Sequence, residues 1–199
     1  MSKFCLFFIF SMQKKHKILA LVGVAGAGKS TATNYLQEKY GFPKVYFGEI
    51  TFDKLKQIGW EPTEENQKII REKIRKELGM GAYAKLSLPK IEKLLKNNAV
   101  VLLESLYSWE EYQIIKERYG RAFKTIAICA NKETRFARIS QRQERALKAW
   151  EDLEKRDRAE IEGTNKGGPI AVADYFVFNE GTWQETSVEL DKIIKKEGI

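Results

Sequence analysis

The stretch Gly23-Val24-Ala25-Gly26-Ala27-Gly28-Lys29-Ser30 spaces three glycines, a lysine and a hydroxyl as a polyphosphate would require. Glycines let successive backbone N–H groups turn inward around a β-phosphate. Lys29 would supply a point charge to the β- and γ-phosphates, and Ser30 a hydroxyl to Mg²⁺. Such a loop works only between a strand and a helix. The apolar run Lys17–Val22 reads as a buried strand, and Ser30–Gln37 continues as a helix whose positive N-terminal end faces the phosphates. The expected nucleotide contacts are Gly23, Gly26, Ala27, Gly28, Lys29, Ser30 and Thr31.

The same chemistry needs acids and further cations. A Mg²⁺ carboxylate commonly comes from the end of a neighbouring apolar strand. Glu104 ends the run Val100–Leu103 and is the candidate, acting through water. Glu49, expected at the end of a second strand, is placed to accept a proton from an attacking hydroxyl. Each of these also reads as an ordinary exposed acid at a strand end. Arg135, Arg138, Arg142 and Arg145 are spaced by three and four, which predicts one shared helical face. Beside a phosphate loop that face predicts a mobile lid, with Arg138 and Arg142 clamping the transferring group. The competing reading is a solvated face balanced by Glu133, Glu144, Glu151 and Glu154.

These residues need a scaffold, and the chain alternates strands with helices. Strands are expected at Pro43–Gly48, Asn98–Glu104, Thr125–Ala130 and Tyr175–Phe178, after the first at Lys17–Val22. Most are continuous apolar runs, as in a parallel sheet covered on both faces. Two crossovers exceed what a sheet needs. In residues 49–97, Thr63 is a good N-cap for a helix running toward Lys76 and stopping near Gly79 and Gly81. Pro89 then predicts the start of another helix, over 89–97. The second crossover, residues 131–173, holds the arginines, with the lid expected over 131–162. Insertions of this kind sit at the ligand edge of open α/β sheets.

With 199 residues the chain suits one domain over 17–199, and its net charge of +8 fits cations gathered around phosphates. Two cysteines, Cys5 and Cys129, make no disulfide framework, and Cys129 reads as a reduced core residue. The single histidine, His16, reads as solvated and excludes a His-rich metal site. Residues 1–16 read as an N-terminal extension that need not be native, with Met12 as an alternative start. The run Phe4–Phe10 is too short to span a bilayer. A chain built for ATP chemistry is expected in the cytoplasm, without a membrane partner.

Further segments carry a family resemblance. Phe47-Gly48-Glu49-Ile50, Glu61-Pro62-Thr63-Glu64-Glu65-Asn66, Gly79-Met80 and Ala84-Lys85 follow the loop in order. Pro89-Lys90-Ile91, Glu133-Thr134-Arg135-Phe136, Arg156-Asp157-Arg158, Ala173-Asp174-Tyr175 and Asn179-Glu180-Gly181 continue the series. Over residues 18 to 190 the chain resembles the dephospho-CoA kinase-like branch of P-loop nucleotide kinases, and within it the small archaeal-type predicted nucleotide kinases. The resemblance implies an adenylate-kinase-like α/β fold: a five-stranded parallel sheet with helices on both faces, an acceptor-binding insertion and a lid. It implies ATP and Mg²⁺ as donor and cofactor, Glu49 near the acceptor, and Arg135 and Arg138 at the start of the lid. It also implies three arginines where this chain carries Phe52, Leu86 and Tyr107, the last in a turn reading Glu104-Ser105-Leu106-Tyr107 instead of Asp-Gly-x-Arg. An apolar or aromatic group cannot replace a bidentate arginine–phosphate contact.

The expected function is transfer of the γ-phosphoryl group from ATP to a small-molecule acceptor: a nucleotide, a nucleoside or a dephospho-CoA-like compound. The alternative is an ATP-binding regulator or weak ATPase with a degenerate acceptor site. A GTPase switch finds Asn131-Lys132 after the fourth strand, but Thr134 stands where its carboxylate belongs, and no Asp-x-x-Gly occurs. A nucleic-acid binder rests on net charge and the arginine face alone. No oligomeric state is implied.

Overall fold

The five apolar runs form one parallel sheet, and its strand order decides which loops meet. The computed structural model describes residues 16–143 and 146–199. The expected N-terminal extension, with Cys5 and Met12, falls outside the described residues apart from His16, as do Glu144 and Arg145. His16 is half-buried rather than solvated, its Nδ1 3.3 Å from the carbonyl of Asn98.

The first strand, β1 (Lys17–Val22), leads through the glycine loop into α1 (Lys29–Tyr40) and then β2 (Lys44–Tyr46). The first insertion contains α2 (Glu49–Gln57), α3 (Glu64–Leu78) and α4 (Ala82–Leu95), and leads to β3 (Val100–Glu104). Next come α5 (Trp109–Tyr119) and β4 (Phe123–Cys129). The second insertion holds α6 (Lys132–Ser140), α7 (Trp150–Thr164) and α8 (Gly167–Ala171), followed by β5 (Tyr175–Phe178) and α9 (Trp183–Glu197). The sheet order is β2-β3-β1-β4-β5, parallel throughout. Placing β1 in the centre sets the glycine loop beside the ends of β3 and β4. Leu21 of β1 registers with Glu104 of β3, so that acid stands at the same edge as the loop.

Strand residues alternate between two cores. Ile18, Ala20 and Val22 pack with Leu55, Ile70, Ile91 and Ile115 from the insertion helices and α5. Leu19 and Leu21 pack instead with Leu36 of α1 and Leu190 of α9. Both faces are covered, which is why these strands read as continuous apolar runs. Burial of Ala25, Ile139 and Leu153 in a third cluster docks the second insertion onto the loop itself. Among the described residues no helix is long and apolar enough to cross a membrane.

Several local expectations are corrected. Glu49 opens α2 rather than ending a strand, because Gly48 already has helical φ and ψ of −64° and −20°. Pro89 does not start a helix but lies inside α4. A proline there removes a backbone hydrogen bond and crowds the preceding turn, together costing about 3 kcal/mol in an isolated helix. Burial of Tyr83, Ala84, Ile91 and Leu95 along one face offsets that loss. The Thr63 cap forms as expected, with its hydroxyl accepting from the N–H of Asn66 at 3.2 Å.

Candidate functional site

The loop between β1 and α1 is shaped from outside as well as by its own sequence. Gly23, Gly26 and Gly28 have φ of +142°, +81° and +104°. At Gly28 a side chain is excluded twice: the backbone is left-handed, and an added Cβ would lie 2.2 Å from Nδ2 of Asn179. That asparagine follows β5, is buried, and donates its side-chain amide to the carbonyl of Ala27 at 2.9 Å. Its Oδ1 accepts from Thr186 at 2.9 Å and from Arg138 at 3.4 Å. Lys29 donates to the carbonyl of Val24 at 2.9 Å. Burial, followed by the charge of Lys166, lowers its pKa to about 7; Arg142 and Arg156 act in the same sense, and Glu160 opposes them.

Helices α6 and α7 lie over this loop. Arg135 is buried and forms a bidentate pair with Asp157, at 2.8 and 2.7 Å. The same guanidinium donates to the carbonyl of Ala25 at 3.2 Å. Among the described residues the expected shared arginine face is not formed. Helix α6 ends at Ser140, so Arg142 lies beyond it, Arg135 turns inward, and Arg138 engages Asn179. Arg142 does reach the cavity above the loop, beside Arg156. Its pKa is lowered by burial and by Arg156.

The loop floors a cavity of about 450 Å³ that Ser30, Thr31, Lys44 and Glu104 also line. Glu104 pairs with Lys44 at 2.7 Å. The Ser30 hydroxyl and this carboxylate are hard oxygen donors of the kind Mg²⁺ takes. Among the described residues there is no group of three or more His, Cys, Asp or Glu side chains able to cage a metal. That sparse donor set fits an ion completed by phosphates and water.

Glu160 of α7 projects into the same space. Its Oε2 accepts from Lys166 at 2.7 Å and from the backbone N–H of Ala25 at 3.2 Å. Its Oε1 lies 3.5 Å from Nε of Arg156. Burial alone would raise the Glu160 carboxyl; Lys166, Lys29 and Arg156 outweigh it and hold the pKa below the ordinary value.

A second cavity, of about 250 Å³, adjoins the first and is bounded by α2, α3, the β3–α5 turn and α7. Tyr46, Ser105, Tyr107, Arg156, Glu160 and Lys166 line both. Two of the three positions where the resemblance implies an arginine, Phe52 and Tyr107, form part of its wall, and Leu86 does not. Ser105 has a left-handed φ of 67°, uncommon for a residue other than glycine. Its hydroxyl lies 3.0 Å from that of Tyr107, and Lys166 stands 4.3 Å over the Tyr107 ring. Cations enter instead from α3. Arg71 and Arg75 both line this cavity. Arg71 pairs with Glu64 at 2.9 Å, whereas Arg75 lies 5.4 Å over the Tyr83 ring with a buried Nε that has no hydrogen-bond partner. Glu111, on the same wall, is pushed up to about 7 by burial, against the N–H groups of Tyr107 and Ser108 that it accepts from. Glu49 lines neither cavity; it sits at an exposed position paired with Lys90.

The sequence alone gives no site role to Glu160, Lys166, Asn179 or the Arg71–Arg75 pair. The i, i+4 spacing of the arginines was a usable signal, as was an asparagine directly after a strand at the ligand edge. Glu160 and Lys166 carried none. Asn131, where a GTPase would read guanine, caps α6 by accepting from the N–H of Thr134 at 2.7 Å.

Fold and loop together define a P-loop protein of kinase-like architecture. A family model described as an AAA domain matches residues 19–161. A UPF0200 protein of Pyrococcus furiosus is 36% identical over 89% of this chain and 95% of its own length. Another, from Thermococcus kodakarensis, is 33% identical over 89% of this chain and 96% of its own. The chain belongs to the UPF0200 family. Among solved structures, a shikimate kinase from Bacteroides thetaiotaomicron superposes with a TM-score of 0.56 at 14% identity, covering 92% of this chain and 99% of that one. A shikimate kinase from Acinetobacter baumannii in complex with shikimate gives 0.54 at 15% identity, covering 93% and 95%. At such identities the likeness is one of fold.

Proposed function

We propose that this chain is a phosphotransferase that passes the γ-phosphoryl group of ATP to a small acceptor, in the cytoplasm. The observation carrying this reading is that the loop cavity and the aromatic cavity share a wall, so donor and acceptor can meet across Glu160, Lys166 and Tyr107. The loop amides and Lys29 would hold the β- and γ-phosphates, and Arg142 and Arg156 would neutralise charge on the transferring group. Ser30 and Glu104 would hold Mg²⁺, which when bound neutralises phosphate charge. Arg138 would act through Asn179 on the loop rather than on substrate. Glu49 stands at the outer edge of α2, and a role as proton acceptor would need the Lys90 pair to open.

Arg71, Arg75 and Lys166 suit an acceptor bearing an anionic group, and Phe52, Tyr46 and Tyr83 suit a flat or apolar body beside it. Nucleotides and dephospho-CoA-like compounds meet both requirements. The test is a screen of nucleoside monophosphates, nucleosides and dephospho-CoA with γ-labelled ATP, read by product identity. Lys29→Ala should abolish transfer; full transfer by that variant would overturn the reading. A second reading, an ATP-binding regulator or weak ATPase, is favoured by Phe52 and Tyr107 in the cavity wall. Hydrolysis of ATP with no acceptor phosphorylated would support it.

A further inference from the structure

The α7 side chain Glu160 is an anion held against the loop by a backbone amide and two cations. One oxygen accepts from a loop amide, that of Ala25, and from Lys166; the other faces Arg156. The carboxylate is mostly buried, with 18% of the side chain exposed, and Lys166 is more deeply buried still. Backbone amides of a loop whose glycines adopt left-handed φ attract anions without regard to source. A carboxylate fixed on the protein is already in place, at an effective concentration that a free ligand must overcome.

The neighbouring contacts make this a defined closed arrangement rather than a stray rotamer. Asp157, one helical turn before Glu160, holds Arg135, which binds the carbonyl of Ala25. Helix α7 therefore engages both backbone groups of one loop residue, the carbonyl through Arg135 and the N–H through Glu160. Lys29 completes the arrangement by donating to Val24 within the loop.

We propose that Glu160 is an internal anion that occupies part of the phosphate cradle, and that nucleotide binding proceeds by displacing it. The inference rests on the loop being a nucleotide site and adds a regulation of that site. Displacement frees Lys166 and Arg156 to face the incoming phosphates. Because all three residues also line the acceptor cavity, the exchange alters that cavity at the same moment. Occupation of the loop and the charge of the acceptor wall are thus coupled through one side chain.

The probes are ADP and inorganic pyrophosphate, titrated calorimetrically into wild type, Glu160→Gln and Glu154→Gln. Glu154 lies on the same helix, at an exposed position paired with Lys132, and removes the same charge away from the loop. Glu160→Gln should bind both probes about tenfold more tightly, the loss of one charge-assisted competitor, and Glu154→Gln should match wild type. Unchanged or weaker binding by Glu160→Gln, or equal tightening in both variants, overturns the proposal. A second measurement needs no variant: pyrophosphate added to wild type should shift the Glu160 carboxyl ¹³C and the Ala25 amide resonances together. Binding that leaves the Glu160 carboxyl signal in place overturns the proposal as well. If neither wild type nor Glu160→Gln binds either probe, the nucleotide-site reading itself fails, and the proposal falls with it.

Discussion

Arg135 and Asp157, on separate helices of the second insertion, form a bidentate ion pair at 2.8 and 2.7 Å directly behind the phosphate loop. The pair does structural work: its guanidinium also binds the carbonyl of Ala25, so loop, α6 and α7 meet at one side chain. Arg135, expected at the start of the lid, is buried and joins the lid region to the loop.

Breaking that pair should destabilise the protein. Arg135→Ala leaves Asp157 largely buried without its partner, a change costing about 3 kcal/mol or more. For a chain of this size that corresponds to a melting temperature lower by roughly 6–12 °C. Differential scanning calorimetry checks it. Arg135→Ala/Asp157→Ala should be less destabilised than the two single losses summed.

Gly28→Ala should lose nucleotide binding. The left-handed φ of +104° and a Cβ placed 2.2 Å from the Asn179 amide cannot both be accommodated without moving the loop or Asn179. The expected loss is at least about tenfold in ADP affinity, with a stability cost of about 1–3 kcal/mol. Asn179→Ala should partly restore the room but not the backbone conformation.

Glu111 predicts a pH dependence. Its carboxyl is raised from 4.5 to about 7, so the folded protein binds more protons than the unfolded chain between those values. Its stabilising contribution is present below pH 4.5 and is lost as pH rises to 7. Glu111→Gln, which stays neutral throughout, should remove this downward slope. Melting temperatures of both proteins measured from pH 4.5 to 7.5 provide the comparison.

Arg75→Ala should separate acceptor from donor. An arginine whose buried Nε has no partner and whose plane lies over Tyr83 is available to an anionic acceptor. The variant should raise KM for such an acceptor about 10–100-fold, the range of a charged hydrogen bond, with ADP affinity unchanged. Steady-state kinetics on the acceptor found in the screen, together with ADP titration, give the answer.

The loop illustrates what local chemistry makes legible. Gly23–Ser30 must curl because its glycines allow it and a strand and helix flank it, and those are properties of neighbouring residues. The parallel sheet was legible for the same reason, since strands covered on both faces show as apolar runs. Glu104 could be placed because a strand end is a local feature and register with Leu21 follows from the sheet.

The shared arginine face does not form as expected, because spacing of three and four is a helix signal only where a helix exists. Helix α6 stops at Ser140, and the chain beyond it turns Arg142 toward the cavity while Arg135 is drawn inward by an acid 22 residues later. Pro89 reads as a boundary on local grounds, yet burial of one face of α4 outweighs the missing N–H.

What the sequence by itself determined is the P-loop, the sheet that holds it and a kinase-like P-loop architecture. Only the tertiary structure decided what surrounds that loop. Glu160 meets the N–H of Ala25 across 135 residues of chain, and Asn179 meets Ala27 across 152. Such contacts depend on how two insertions pack over one sheet edge. No periodicity records them, because each is a single side chain whose partner is chosen by packing and charge rather than by position in the chain.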